Sequence, residues 1–169
     1  MLSDQMVKAL NEQINKEMFS AYLYLSMSAH SENLGLSGFA NWFYVQYQEE
    51  TFHAMKLYRY LLGQGAEVTL GAIEKPQSKW EGPLAMFDAT LKHEQFITKS
   101  INDLVDLAIT EKDHATHIFL QWYVTEQIEE EANDHEIINK LKLIGGQGNG
   151  LFMIDSELSS RVYTPPVEA

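Results

Sequence analysis

Four glutamates occupy positions where a helical protein normally places leucine. Glu17, Glu50, Glu94 and Glu130 each lie within the apolar stripe of a different predicted helix. Burying a lone carboxylate costs several kcal/mol unless a counter-charge lies beside it. His53, one helical turn after Glu50, offers an imidazole rather than a second acid. Carboxylates combined with an imidazole point to a bound transition metal rather than to a salt bridge.

Two of the predicted helices carry polar residues in pairs that are three positions apart. One pair is Glu50 with His53, and the other is Gln127 with Glu130. Residues with this spacing share one side of a helix, so both members of each pair should point into the protein interior. The full inward-facing set is Glu17, Glu50, His53, Glu94, Gln127 and Glu130.

The charge of this set indicates which metal it would hold. Its four carboxylates carry a charge of about −4 at neutral pH, which two divalent cations would neutralise. Oxygen-rich ligation with one imidazole suits iron or manganese better than zinc or copper(I). Without metal, the carboxylates should repel one another and retain protons, so metal binding should release protons.

The alternative is that these are ordinary surface glutamates on helices whose buried side has been misjudged. For any one of them this alternative stays open, because helix boundaries derived from sequence err by a few residues. For all four together with His53 it is disfavoured, since an unpaired Glu is almost never fully buried. The metal-binding interpretation is therefore preferred.

Composition narrows the class of protein. The 169 residues carry a net charge of −12 with only 12 Lys and Arg, so no basic surface is available for nucleic acid. The absence of cysteine excludes disulfides and thiolate metal sites. The N-terminal MLSDQMVKAL lacks the features of a secretory signal, and the longest uncharged central stretch falls short of the roughly 18 apolar residues of a membrane span. We therefore expect a cytoplasmic protein without a nucleic-acid or membrane partner.

Apolar residues recur every three or four positions along most of the chain, which predicts helices rather than strands. The expected helices span about 3–32, 36–62, 83–110 and 113–144. Ser3 is a candidate N-cap for the first helix. The glycines Gly63 and Gly65 should end the second helix, and Gly145 and Gly146 should end the fourth. Rods of this length are expected to pack side by side as a four-helix bundle.

Two segments lie outside these helices. At 64–81 the helical period is lost over a stretch too long for an ordinary turn, so it should cross over and make the second and third helices parallel. An apolar seam from Leu151 to Val162 predicts a short fifth helix that ends before Pro165 and Pro166 and docks against the rest. The chain is expected to form one domain over 1–169, with the bundle at 1–144, the short fifth helix within 145–163 and a tail at 164–169.

Three stretches of the sequence resemble the bacterial non-haem ferritins. They are YQEETFHAMKLYRYL in the second helix, KHEQFITKSINDL in the third and FLQWYVTEQIEEE in the fourth. The resemblance runs from Met1 to about Val162 and implies an all-α, ferritin-like four-helix bundle with a long crossover and a short fifth C-terminal helix. Ferritin-like di-iron proteins bind metal through two single Glu and two Glu-x-x-His pairs, and here one pair reads Gln-x-x-Glu.

The resemblance also implies roles for the inward-facing residues. Glu17, Glu50 and His53 would bind one iron. Glu50 would bridge to a second iron, which Glu94 and Glu130 also hold. Proteins of this family oxidise Fe(II) with dioxygen at such a ferroxidase centre and store the product as a ferric mineral in a twenty-four-subunit shell. We therefore expect an iron-storing ferroxidase that forms a homo-oligomeric cage.

Further residues follow from the same resemblance. Gln127 would lie beside the two irons. A third, weaker iron site would use Glu49, Glu126 and Glu129, with Glu130 shared. The spacing of the last three does place them on one flank of a helix. The alternative for this flank is a solvated acidic face, which is what a run of charges usually forms.

Departures from related families narrow the expected cofactors. Bacterioferritins carry a haem-ligating methionine on the second helix, just before the iron-binding histidine, and a histidine in the pair on the fourth helix. These positions read Phe52 and Glu130 here. We therefore expect iron without haem. Rubrerythrin-like proteins usually add a cysteine-ligated iron, which a chain without cysteine cannot hold.

Four other residues have two interpretations each. Tyr24 and Trp122 occupy positions at which the family suggests electron donors or radical protection, or they are core aromatics with a hydrogen-bonded polar end. His114 and His117 resemble the lining of an iron-entry channel. Two histidines alone are a weak metal signal, so a solvent-exposed pair without a role is the favoured interpretation.

Two rival functions stay open. One is a di-iron or di-manganese redox enzyme of the same fold that stores no mineral. The other is a metal-free helical interaction protein whose acidic face binds a basic partner. Assembly size separates the first from a storage protein, and the presence of stoichiometric Fe(II) sites separates the second.

Overall fold

The computed structural model describes residues 2–145 and 148–166, and within them it contains helices and no strands. The helices are α1 Asp4–Asn33, α2 Ser37–Gly63, α3 Pro83–Glu111, α4 His114–Leu143 and α5 Gly148–Leu158. The all-α architecture predicted from the sequence is confirmed, and the first four helices begin and end within a residue or two of the expected positions. None of the described helices is long and apolar enough to cross a membrane.

The ends of the long helices follow local capping chemistry. The Ser3 side chain accepts a hydrogen bond from the Met6 amide at 3.0 Å, so the predicted N-cap of α1 is present. Asp113 caps α4 in the same way. After α2, Gly65 has a φ of 72°, a conformation that favours glycine. Gly146, expected to help end α4, lies outside the described residues, as does the end of the predicted tail at 167–169.

The segment between α2 and α3 runs along the outside of α1. The side-chain amides of Asn11 and Asn15 exchange hydrogen bonds with its backbone at residues 67–72. Near the other end of α1, the backbone of Trp80 meets the His30 ring. The chain therefore returns along the length of α1, and α3 starts at the same end of the bundle as α2, as the crossover predicted.

Two apolar clusters fill the bundle on either side of a polar layer. The cluster nearer to α5 includes Tyr24, Phe39, Phe43, Phe87, Ile138 and Ile154. The other includes Met6, Leu10, Leu57, Ile101, Leu120 and Tyr123. The polar layer between them contains the inward-facing glutamates, so dry packing encloses it on both sides along the bundle axis.

The fifth helix lies within the expected range of 145–163, but it is offset from the apolar seam at 151–162. It begins in the glycine-rich stretch at Gly148 and ends at Leu158. Where the chain leaves helical geometry, the Asn41 side-chain amide contacts the carbonyls of Leu158, Ser159 and Arg161, at 3.2, 3.4 and 2.9 Å. These contacts hold the segment after α5 against α2.

The docking partner of α5 is the start of α2. Asp155 of α5 accepts hydrogen bonds from the backbone amides of Gly38 at 2.8 Å and Phe39 at 3.0 Å. It thereby supplies the cap that Leu36, at the N-cap position of α2, does not provide. A Cβ at Gly38 would lie 1.6 Å from the Asp155 carbonyl oxygen, so only glycine permits this approach.

Candidate metal centre

Three of the predicted ligands meet in the polar layer. Glu17 comes from α1, and Glu50 and His53 come from one turn of α2. One ligand atom of each lies within 4.8 Å of the other two, and all three side chains are buried. Among the described residues, this is the His, Asp and Glu cluster compact enough to hold a metal ion.

Several carboxylate oxygens in this cluster accept no hydrogen bond from the other described residues. They are both oxygens of Glu50 and one oxygen of Glu17, which bond to each other only when Glu50 carries a proton. The His53 Nδ1 atom lies 3.5 Å from Glu50 Oε2, too far for a normal hydrogen bond. Buried acceptors are almost always satisfied in folded proteins. The exceptions in this cluster belong to side chains whose ligand atoms lie within 4.8 Å of one another, which is the arrangement expected of groups that face a cation.

Glu94 and Glu130 join the layer from α3 and α4, and each is held by a neutral donor. Gln127 Nε2 donates to Glu94 Oε2 at 3.0 Å, and the Tyr24 hydroxyl also donates to Glu94. Gln46 Nε2 donates to Glu130 Oε2 at 2.9 Å. These two carboxylates lie outside the compact triad, so the centre has a tight half and a looser half.

The carboxylates of the layer bind protons more strongly than usual. Burial raises the pKa of Glu50 well above its ordinary value, and the charges of Glu94, Glu17 and Glu130 raise it further. Burial also raises the pKa of Glu94, and that of Glu130 to about 8. The sequence led us to expect this proton retention in the absence of metal. A cation that enters the layer would therefore displace protons.

A hydrogen-bond chain that the sequence analysis missed supports Glu17. Gln13 Nε2 donates to Glu17 Oε1 at 2.8 Å. The Ser100 hydroxyl donates to Gln13 Oε1 at 2.6 Å, and Lys16 Nζ donates to the Ser100 oxygen at 2.6 Å. Gln13 lies one turn before Glu17 on the same face of α1, so its spacing could have revealed it. Ser100 is on α3 and left no such signal.

A second residue missed from the sequence is Asp134. It lies one turn after Glu130 on α4 and is buried, and one of its oxygens has no hydrogen-bond partner in the described part of the chain. Burial, together with the charges of Glu94 and Glu130, raises its pKa to about 9. The four-residue spacing from Glu130 places it on the inward stripe, and that spacing was the available signal.

The residues of the predicted third site lie beside the centre, on the surface side. Glu49, Glu126 and Glu129 line a cavity of about 180 Å³ that His53 and Glu130 also border. We call these three residues the outer flank, and the six inward-facing residues predicted from the sequence the inner centre. The outer flank is partly exposed, and burial raises the pKa of Glu49 and Glu126.

The remaining residues singled out from the sequence divide into two groups. Tyr24 bonds to Glu94 in the layer, and the Trp122 ring contacts the His53 ring edge-on, with 5.3 Å between centroids. Both are therefore adjacent to the inner centre. His114 and His117, near the start of α4, join no metal-type cluster of the described residues.

Comparison with known proteins identifies the family. The sequence profile of the ferritin-like domain matches residues 7–144. The chain belongs to the ferritin family. It is 48% identical over 160 residues to the bacterial non-heme ferritin of Campylobacter jejuni, covering 95% of this chain and 96% of that protein. It is 42% identical over 161 residues to that of Bacteroides fragilis, covering 95% and 100%.

Solved ferritin structures superpose closely on this chain. An open-pore ferritin from the archaeon Archaeoglobus fulgidus matches with a TM-score of 0.95 and 51% sequence identity, over 96% of this chain and all of that one. A closed form of the same ferritin, engineered by mutagenesis, also gives a TM-score of 0.95. The resemblance to ferritins inferred from the three sequence stretches is thus confirmed, together with the four-helix bundle and short C-terminal helix.

Proposed function

We propose that this ferritin oxidises Fe(II) with dioxygen at the inner centre and stores the Fe(III) as mineral within a hollow homo-oligomeric shell. The observation that carries the proposal is the convergence of unpartnered oxygens of Glu17 and Glu50 beside His53 in a dry layer. Membership of the ferritin family supports iron as the metal that is bound and stored.

The proposed ligands divide into two sets that share Glu50. Glu17, Glu50 and His53 would bind the first iron, and Glu50, Glu94 and Glu130 the second. Two free oxygens on Glu50 support a bridging role, because each can take one ion. The compact triad favours the first position as the tighter one. Carboxylate oxygens and one imidazole form a donor set suited to Fe(II).

The protein's part in the reaction is to position the substrates and manage protons. Each Fe(II) gives one electron to dioxygen, so the redox chemistry belongs to the metal. Gln127 and Tyr24 hold Glu94 in a fixed orientation, and Gln46 does the same for Glu130. The raised pKa values of Glu94 and Glu130 mean that iron binding expels protons from the layer.

The outer flank is the proposed third iron site, through which Fe(III) leaves for an acidic inner wall. Its support is the shared cavity, which joins Glu49, Glu126 and Glu129 to Glu130. The alternative function of this flank is a solvated acidic face. The proposed shell has twenty-four subunits, works in the cytoplasm and contains no haem.

The experiment that tests the inner centre compares Glu50→Ala and Glu130→Ala with the native protein. Fe(II) is added in air, and the initial rate of ferric absorbance is followed. We expect both variants to lose rapid oxidation while a sizing column still shows the assembled shell. Glu32→Ala, at an exposed position of α1, is the matched control and should oxidise iron at the native rate. Native initial rates in both centre variants would refute the ligand assignment.

The same column separates storage from the rival redox enzyme. A large assembly that elutes together with the ferric product supports storage. A small assembly that consumes dioxygen or peroxide without retaining iron would instead support a non-storing di-iron or di-manganese enzyme.

A further inference from the structure

The segment after α5 crosses the face of the bundle beside the outer flank. We call residues 159–166 the C-terminal strap. Its backbone is held by Asn41 of α2, whose side-chain amide contacts the carbonyls of Ser159 and Arg161. Thr164 and Pro166 then reach the cavity that the outer flank lines. The strap therefore brings its own side chains to the acidic groups of the proposed third site.

Arg161 of the strap bonds directly to one of those acids. Its Nη2 atom lies 2.6 Å from Glu49 Oε2, and the two side chains are 23% and 24% exposed. The guanidinium also lies over the Trp42 ring, 4.7 Å from its centroid. Its Nη1 atom is buried and has no hydrogen-bond partner among the described residues. Arg161 therefore bonds to Glu49 through Nη2, while its buried Nη1 has no acceptor among the described residues.

A metal ion at the outer flank would meet this guanidinium. Glu49 is one of three outer-flank acids around the cavity, and Arg161 borders the same space. The guanidinium takes up Glu49 Oε2 at 2.6 Å, so a metal ion must either displace Arg161 from that oxygen or bind the other oxygen, Oε1, beside a fixed positive charge that weakens its binding. The two cations must therefore compete for Glu49.

We infer that Arg161 is a built-in competitor of the third-site metal, which keeps the outer flank a weak site that releases its ion. This inference rests on the proposed function of the flank. The contacts of Asn41 hold the strap only as far as the Arg161 carbonyl and do not involve the guanidinium, so when Arg161 releases Glu49 the start of the strap stays attached while the residues after it loosen. The face of Trp42 offers the released guanidinium a favourable resting place. Arg161 acts as a positioning residue and not as a ligand.

Anaerobic calorimetry with Fe(II) on the assembled protein tests this competition. Native protein should fill the two inner-centre positions first, which are counted together as the tight class, and then one weaker class at the outer flank. We expect Arg161→Gln to strengthen the weaker class by roughly three- to ten-fold, the value of one partly buried ion pair, and to leave the tight class unchanged. Arg161→Lys, which restores the positive charge, should return the weaker class towards the native affinity.

A double-mutant cycle with Glu49 makes the result specific. In the Glu49→Gln variant, Arg161 no longer has a carboxylate to pair with. Adding Arg161→Gln to that variant should therefore change the Fe(II) affinity of the weaker class by less than about two-fold. An unspecific loosening of the strap would give the same change in both backgrounds. Unchanged or weaker outer binding in Arg161→Gln overturns the inference, as does a native outer flank that binds no Fe(II) although the inner centre fills.

Hydrogen–deuterium exchange provides a readout that needs no arginine variant. Filling the outer flank of the native protein with Fe(II) under anaerobic conditions should speed exchange at residues 161–164, and Glu49→Gln should show the faster exchange before metal is added. Equal exchange with and without metal also overturns the inference. Failure of the proposed function looks different, because the tight class of sites would then be missing from native protein itself.

Discussion

The inner centre and the outer flank contain adjacent residues of the same helices, yet their carboxylates differ in burial and in what neutralises their charge. Glu50 is 1% exposed and neither of its oxygens accepts a hydrogen bond from the rest of the described chain, whereas its neighbour Glu49 is 24% exposed at the side chain and bonds to Arg161. One step along a helix turns a side chain by about 100°, which is enough to separate the two environments. Glu130 and Glu129 repeat the contrast on α4.

The difference lies in where the counter-charge comes from. The inner centre has only His53 within the triad, so its carboxylates must hold protons or imported metal. The outer flank has a guanidinium supplied by the same chain. We therefore expect the inner centre, which has no cationic side chain of its own beyond His53, to bind a metal ion tightly. We expect the outer flank, which already has the guanidinium of Arg161, to bind a metal ion weakly. Four substitutions test this contrast, from the largest expected effect to the smallest.

Removing one charge from each region should separate them most clearly. Glu50→Gln deletes the proposed bridging ligand, and we expect inner-centre affinity for Fe(II) to fall by more than about 100-fold, beyond the effect of losing an outer-shell partner. Glu49→Gln is the matched control on the next residue and should leave the inner class unchanged. Anaerobic titration of both variants measures this, and equal losses in the two would erase the contrast.

The buried acid Asp134 should make metal-free protein less stable as pH rises. Its folded pKa of about 9 lies above the ordinary value of 3.8, so the folded state holds a proton that the unfolded chain releases. The free energy of unfolding therefore falls with pH between about 4 and about 9, by up to about 1.4 kcal/mol per pH unit. Asp134→Asn should remove this share and be more stable than native protein, increasingly so towards pH 9.

Thermal unfolding of metal-free protein at several pH values measures the effect. The charges that face Asp134 from elsewhere in the layer and the strap are those of Glu94, Glu130, Glu131 and Arg161. Asp88→Asn, at an exposed position of α3, is the control and should show no such trend. A constant difference between Asp134→Asn and native protein across the pH range would contradict the buried-acid explanation.

The support of Glu17 should matter to the inner centre alone. Gln13→Leu removes the donor to Glu17 and leaves Ser100 without its acceptor. We expect a loss of roughly ten-fold in the initial rate of iron oxidation, as for other residues that orient a metal ligand. The exposed Gln5→Leu on the same helix is the control. A native rate in Gln13→Leu would show that packing alone orients Glu17.

The capping contact of α5 should matter to the outer flank alone. Asp155→Ala removes the acceptor of two α2 amides, which should lower the free energy of unfolding by about 1 kcal/mol. Because α5 leads into the C-terminal strap, hydrogen exchange at residues 161–164 should also increase, while the oxidation rate stays native. Ser156→Ala, exposed on α5, should change neither. A slowed oxidation rate in Asp155→Ala would mean that the two regions are coupled.

Much of the bundle could be predicted because its signals are local. The apolar period located α1 to α4, and Ser3 behaves as the N-cap that its type suggested. The same period placed Glu17, Glu50 and His53 on inward faces, and the structure brings these three together. The division into one domain, and the metal roles of individual residues, stay predictions.

The features that sequence could not provide depend on partners far away in the chain. Arg161 and Glu49 are 112 positions apart, and no repeat or spacing links them. The contact between Asn41 and the end of α5 left no signal for the same reason, since Asn41 lies 117 positions before Leu158. Asp134 is different, because its spacing of four residues from Glu130 already placed it on the inward side of α4. It was not among the residues predicted from the sequence.

The contact between Asp155 and the first amides of α2 also affects how the chain is made. A ribosome delivers Gly38 and Phe39 long before Asp155, so the start of α2 must emerge with those amides bound only to water. The four long helices can pack together early in synthesis, but the start of α2 receives its cap only after α5 has been synthesised. A chain that ends before Asp155 would therefore form a bundle in which the first turn of α2 frays.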